Sequence, residues 1–327
     1  MPSLITHHIF AEEVFKKTNK DIQSKFKDEL TLYQTFAQSH DYLFYYKTLN
    51  IPKTHEINFL GKIGHRRNTQ DYLLNLINII LEFNLKNYQP VIAYLYGSIT
   101  HYVLDSTCHP LIFYKTGIYD PRKKLKEHKK YKGLHAYFER NLDCYYYKKY
   151  YKKDFKGCNI SKDIIKKPNI NIDLVNIINM TYKRTYNVEN TGIYYKQSIK
   201  SAKRIYSLFI NDKHTIKNRI YKYIDKISHN HFGYLSCFPT SNKVDTSLFN
   251  LEHNTWNHPC TKEETYTYSI EDLYDISIKK CLKIFEEVYK VLYEKQDIDK
   301  LKKYIPNISY STGLELDKNK RMQYFEF

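Results

Sequence analysis

The sequence predicts an all-α fold, on three observations. Nearly every long segment repeats its apolar residues at helical spacing. No alternating runs are joined by a hairpin turn signal, so no strand pairs are expected. No internal repeat is found either.

The expected helices run in order as follows. His8 to Lys17 puts Ile9, Phe10, Val14 and Phe15 on one side. Asp71 to Lys86 carries Leu73, Leu74, Ile77, Ile80 and Leu81. A helix from Tyr88 to about Cys108 has Pro90 where a first turn tolerates it. Leu134 to about Tyr151, Asp173 to Lys183, Tyr194 to Ile210 and Thr215 to Ile227 follow. Ser269 to Glu294 has the clearest stripe, with Leu273, Ile276, Ile278, Leu282, Ile284, Phe285, Val288 and Leu292. Loops are expected over 122–132, 158–171 and 229–268, and the tail from Pro306 reads as irregular. None resembles a flexible linker. The expectation is one compact domain, with a helical core over 1–150 and a C-terminal helical part over 151–327 packed on it.

A chain of 327 residues can bury a sizeable core. Its 34 Tyr and 9 Gly, with abundant Lys, Asn and Ile, fit a genome low in G and C and carry no functional weight. The net charge of +17 draws phosphates, whether of nucleic acid, lipid headgroups or small esters, without fixing a partner. The best apolar run, Leu73 to Phe83, is short and broken by Asn75 and Asn78, so no transmembrane segment is expected. The start, Met1-Pro-Ser-Leu-Ile-Thr-His-His, has no basic or apolar signal-peptide region, which predicts a cytoplasmic protein. Cys108, Cys144, Cys158, Cys237, Cys260 and Cys281 form no CxxC pair and read as scattered reduced thiols.

The histidines are uneven: nine of 14 precede residue 136. His101-x3-Asp105-x3-His109 sets three ligand-type side chains one turn apart on one helical face. Gly97, one turn earlier, leaves room for another segment or a substrate. His135-x3-Glu139 repeats the i, i+4 arrangement. A single pair of this kind is usually a surface or core polar pair. Three ligand types on successive turns, with a second pair elsewhere, point to metal. Imidazole and carboxylate are ordinary zinc ligands, and zinc takes about four. One helix cannot supply them all, but facing helices can. Cys108 points to a different face and reads as packed.

These motifs resemble the zinc-dependent phospholipase C/D family and, more distantly, the single-strand nucleases that share its trinuclear zinc site. The resemblance runs through Pro2-Ser-Leu-Ile-Thr-His7, Gln38-Ser-His-Asp41-Tyr-Leu-Phe and Gly64-His65. It continues through the His101 run after Tyr94-Leu-Tyr-Gly97, then His135-x3-Glu139. Asn250-Leu-Glu-His253 with Trp256 and Pro259, and Ser309-Tyr-Ser-Thr-Gly313, complete it. Each motif is weak alone, but their joint order is specific.

The resemblance implies a multi-helical single domain of the phospholipase C and single-strand nuclease type, holding two to three zinc ions. It implies Asp41, His65, His101 and Asp105 on one zinc, and His109, His135 and Glu139 on a second. Asp105 would bridge the first to a third, completed by His7 and the N-terminal amine. Removal of Met1 would make that amine the one on Pro2, chelating through nitrogen and carbonyl. His253 and Trp256 would close over the site.

The implied activity is phospholipase C-like phosphodiester hydrolysis. Zinc lowers the pKa of water from about 15.7 toward about 7, so the resemblance implies that a zinc-bound hydroxide would attack phosphorus in line. Asp41 and Asp105 are the catalytic candidates, Asp41 as general base as well as ligand. The alternatives are a single-strand nuclease, another phosphodiesterase or phosphomonoesterase, or a catalytically weak metal-stabilised binding protein. The implied partner is a phospholipid or other phosphodiester, with nucleic acid as the alternative substrate. Peripheral contact with an anionic membrane surface is a further expectation. Tyr145, Tyr146, Tyr147, Tyr150 and Tyr151 with Lys148, Lys149, Lys152 and Lys153 can anchor at headgroups, stack bases, or form a core face. The core face is the preferred reading in so Tyr-rich a chain. Arg66, Arg67 and the 122–132 run can steer an anion, although most such residues are simply solvated. His8 must point away from His7. His40 either supports a ligand or faces solvent, and His55, His128, His214 and His229 read as surface residues.

Overall fold

A computed structural model describes residues 4–47, 55–118, 131, 133–155, 158–210, 216–227, 244–318 and 321–326. Its architecture is built around one long helix. In chain order the helices are α1 (Leu4–Lys17), α2 (Lys20–Ser24), α3 (Leu30–Phe36), α4 (His55–Gly64), α5 (Thr69–Glu82) and α6 (Gln89–Thr116). They continue as α7 (Leu134–Tyr151), α8 (Ile172–Tyr186), α9 (Thr191–Ile205), α10 (Ile216–Ile227) and α11 (Ile270–Tyr293).

Helix α6 is buried almost all round, because α1, α3, α5, α7 and α11 pack against it. An all-round apolar surface is what such a central position requires. Pro90 stands in the first turn. Pro110 lies inside the helix, which nevertheless runs eight residues past the Cys108 expected from sequence. At Gly97 the backbone of α3 comes so close that a Cβ would lie 2.5 Å from the Tyr33 carbonyl oxygen. The space left by this glycine is therefore filled by a chain segment, not by a substrate.

Helix α11 lies along α6 and starts at a capping box, in which Ser269 and Asp272 satisfy each other's backbone N–H. Helix α8 starts where Asn171 accepts from the Leu174 N–H. The core is rich in tyrosines whose hydroxyls pair, as in Tyr72–Tyr94 at 2.6 Å and Tyr45–Tyr206 at 3.1 Å. The tyrosines of the run at the end of α7 pack against neighbours, while its lysines are exposed. Tyr146 stacks on Tyr274 at 4.3 Å, Tyr151 donates to Glu12, and Tyr145 donates to Glu271.

The structure differs from the expectation elsewhere too. Residues 256–257 and 265–266 form a small antiparallel hairpin, β1 and β2, with Trp256 opposite Tyr266. Arms of two residues are too short for alternation to show in a sequence. Helices α2 to α4 and the 3-10 turn Ser39–Tyr45 also escaped the periodicity argument, because each is brief. The helix expected to Ile210 ends at Ile205, and a π turn, Tyr206–Ile210, follows. Among the described residues no helix is long and apolar enough to cross a membrane.

Candidate metal centre

Helix α6 presents His101, Asp105 and His109 on successive turns, and four other elements bring partners to that face. Asp41 comes from the 3-10 turn Ser39–Tyr45, His65 from just beyond α4, and His7 from α1. His135 and Glu139 come from α7. Gly64 lets His40 pack behind the site, since a Cβ there would lie 2.3 Å from the His40 ring.

The first group is tight. His65 Nε2 lies 3.1 Å from Asp41 Oδ1 and 3.5 Å from Asp105 Oδ2. His101 Nε2 lies 3.5 Å from Asp105 Oδ2 and 3.9 Å from Asp41 Oδ2. The two Nε2 atoms face each other at 3.3 Å. Ligands at about 2.0–2.1 Å around a tetrahedral ion stand about 3.3–3.4 Å apart, so these spacings suit a shared cation. Asp105 also reaches the other way, with Oδ1 3.0 Å from His7 Nε2.

The second group is His109, His135 and Glu139. Glu139 Oε1 lies 3.0 Å from His135 Nε2 and 3.7 Å from His109 Nε2. Within each of two sets, His7–Asp41–His101–Asp105 and His109–His135–Glu139, the ligand atoms lie within 4.8 Å of one another and could hold a metal ion.

Backbone carbonyls orient three of the imidazoles. His65 Nδ1 meets Gly61 O at 2.6 Å, His101 Nδ1 meets Ala37 O at 3.2 Å, and His109 Nδ1 meets Tyr310 O at 3.0 Å. A carbonyl only accepts, so each Nδ1 donates, and each neutral ring turns an Nε2 lone pair to the centre. Asp41 Oδ2, Asp105 Oδ2, Glu139 Oε2, His7 Nδ1 and His135 Nδ1 are buried without a hydrogen-bond partner among the described residues. Orphaned polar atoms of this kind are costly unless a cation or water meets them. The donor set therefore fits zinc.

The electrostatics show the same need for positive charge. Burial drives the His65 imidazole down, but the Asp41 and Asp105 carboxylates outweigh it and lift the pKa to about 10. Burial likewise opposes His109, which Asp105 and then Glu139 raise to about 9. His7 is also raised, with Asp105 overcoming burial. Burial pushes the Asp105 carboxyl up, yet His109, His101 and His7 hold it well below the usual carboxylate range. Burial drives His101 and His40 well down, and His8 to about 4.

Both groups open onto one cavity of about 300 Å³, lined by Asp41, His65, Asp105, His109, His135 and Glu139 together with Phe44, Phe113 and Ser311. Lys62 and Arg66 stand at its rim, while Arg67 does not line it. The structure thus brings together His7, Asp41, His65, His101, Asp105, His109, His135 and Glu139. Pro2 lies outside the described residues, as do His128, His214, His229, the side chain of His55 and all of the 122–132 run except Tyr131.

His253 and Trp256 do not close over the centre. His253 is exposed and pairs with Asp272, and Trp256 lines a separate cavity with His258, Tyr266 and Tyr268. The hairpin carries this segment to the far side of the 309–313 segment, where His258 bonds the Thr312 carbonyl. The ring packed against the imidazoles is Tyr310, which lies 5.2 Å from His65 and 5.6 Å from His101 and does not line the cavity. Gly313 holds that segment down at φ +67°, where a Cβ would lie 2.5 Å from Ser106 O. Lys62 was missed by sequence reasoning. Its only signal was its place one turn before His65.

Fold and site together define an all-helical protein with a buried histidine–carboxylate centre suited to divalent metal. A family model described as zinc dependent phospholipase C matches residues 6–192, more than half of the chain and every one of these eight residues. The chain belongs to that family. No curated protein and no solved structure matches it.

Proposed function

We propose that the protein is a zinc-dependent phospholipase of the C type, which hydrolyses the phosphodiester between a phospholipid headgroup and diacylglycerol. The observation that carries this reading is that both candidate metal groups floor one cavity with two cations on its rim. Asp41, His65, His101 and Asp105 would hold one ion, and His109, His135 and Glu139 a second. Asp105 Oδ1 and His7 would contribute to a third. Zinc bound there supplies charge neutralisation for phosphate oxygens and makes water acidic near neutral pH, from about 15.7 toward about 7.

The chain's own groups divide the remaining work. Asp41 lines the cavity, and the carboxylate oxygen it does not give to the metal would take the proton of the attacking water. Lys62 and Arg66 receive the phosphate anion at the mouth. Phe44 and Phe113 give the cavity apolar walls that limit water around the reacting phosphate. About 300 Å³ suits a headgroup with its phosphate.

The test combines metal analysis with a substrate panel of phosphatidylcholine, single-stranded DNA and a soluble chromogenic phosphodiester, with and without chelator. Release of diacylglycerol and phosphorylated headgroup, abolished by chelator, is the expected result. Hydrolysis of DNA alone would replace this reading with a nuclease. No hydrolysis at full zinc loading would leave a metal-stabilised binding protein. His101→Ala should lose both metal and activity.

A further inference from the structure

Helix α10 faces the wrong way for a helix packed by the hydrophobic effect. At 100° per residue, Tyr223, Ile216, Ile227 and Ile220 fall within an arc of about 60°. All four are between 50 and 67 % exposed, as is Leu208 in the preceding π turn. The opposite side, Asn218, Tyr221 and Asp225, is the buried one. An amphipathic helix normally buries its apolar stripe, so a row of large apolar side chains kept in water marks an interaction surface.

Charge identifies what covers it. Arg219, Lys222 and Lys226 are exposed along one flank of the stripe, and the only acid of the helix, Asp225, is on the buried side. A second copy of this chain would set these cations against their own like, on a protein of net charge +17. A lipid surface with anionic headgroups matches both the apolar row and its basic edge.

Position links the helix to the centre. Lys217 Nζ reaches Ser207 O at 3.4 Å, and the neighbouring Tyr206 meets Tyr45 at 3.1 Å. Tyr45 shares its 3-10 turn with Asp41 and Phe44, which line the cavity. Helix α4 packs on the same turn, with an exposed Phe59 one turn before Lys62. The family match ends at residue 192, so α10 lies in the part of the chain beyond it.

We propose that α10 is an interfacial docking helix. Ile216, Ile220, Tyr223 and Ile227, with Leu208, enter the headgroup–acyl boundary of a membrane carrying anionic lipid, while Arg219, Lys222 and Lys226 contact its headgroups. This surface deepens the phospholipase reading, on which its purpose rests, by naming how the cavity meets lipid.

The test uses the full zinc-loaded chain and vesicles of phosphatidylcholine with or without phosphatidylglycerol, read by flotation at low and high salt. Wild type should float with the anionic vesicles and release them in salt. Ile220→Asp with Tyr223→Asp should lower partitioning by at least about tenfold. Arg219→Glu, Lys222→Glu and Lys226→Glu together should lower it about fivefold per residue on anionic vesicles only. Tyr223→Ser alone provides a milder change should the double variant not fold. All variants should keep wild-type hydrolysis of a soluble phosphodiester and lose rate on vesicles in step with binding. Unchanged vesicle binding in these variants would overturn the proposal, as would dimerisation through this face without vesicle binding. Vesicle binding lost in the variants of a protein that hydrolyses no ester would support docking while refuting the catalytic reading.

Discussion

Raising the pH should tighten zinc binding by an amount set by two imidazoles. In the metal-free protein His65 carries its proton to about pH 10 and His109 to about pH 9. Each must lose that proton to ligate. At pH 7 the cost is about three pKa units for His65 and about two for His109, or about 4 and 3 kcal/mol. About one proton should therefore leave per ion bound, and apparent affinity should rise about tenfold per pH unit from pH 7 to about 9. Calorimetric titration of dialysed protein in two buffers of unequal ionisation heat counts the protons. Competition with a chromophoric chelator gives the slope. The stability sign follows from the same shifts. Both folded pKa values lie above the ordinary imidazole value of 6.5, so their contribution is complete below that pH and is lost as pH rises through about 9 and 10. The metal-free Tm should fall across that range, and the zinc-loaded Tm should not. An affinity independent of pH, with no protons released, would refute the electrostatic account of the site.

Substitutions at three positions probe how the fold holds the centre. Gly97→Ala would place a Cβ 2.5 Å from the Tyr33 carbonyl oxygen, a backbone atom that cannot swing aside, so thermal melts should show a loss of about 1–3 kcal/mol. Asp143→Ala removes the acceptor of both the Thr6 N–H and its hydroxyl, each at 2.8 Å. It should cost about 1–2 kcal/mol as a lost helix-start cap, and metal analysis should show weaker retention at neighbouring His7. Tyr310→Phe removes a buried hydroxyl with no hydrogen-bond partner among the described residues, so stability should hold within about 1 kcal/mol. Tyr310→Ala should cost about 3–5 kcal/mol by denaturant titration, because the ring over His65 and His101 is lost.

Much of the centre was legible because its hub is local. The i, i+4, i+8 spacing on α6 survives folding as geometry, since one helix fixes it. Asp41 and His65 were legible only through the order of motifs, because the turn and helix that place them are short, and His7, although its helix shows a clear period, was tied to the site by motif order alone. The roles of Tyr310 and Ala37 were not legible, since each orients an imidazole with a backbone carbonyl that any residue supplies. Trp256 misled for the opposite reason. Its motif places it near the site in sequence order, but the hairpin turns it into another cavity. The stripe of α10 was visible as helical period. Period alone does not say which way a stripe faces, and here the exposed side is the apolar one.

Charge explains why these residues cluster at all. Asp41, Asp105 and Glu139 are each at most 5 % exposed, and carboxylates buried without compensation are prohibitively costly. In the metal-free chain protons on His65 and His109 do the compensating, and the carboxylates raise the His7 imidazole in the same direction. Burial pushes Asp41 up as well, so even with those protons its charge is incompletely offset. Divalent ions would do better. They would replace the protons, meet the orphaned carboxylate oxygens and leave the floor net positive near Lys62 and Arg66. Filled by metal, the same groups would present positive charge to an anion in the cavity, which is what the proposed phosphodiester hydrolysis requires.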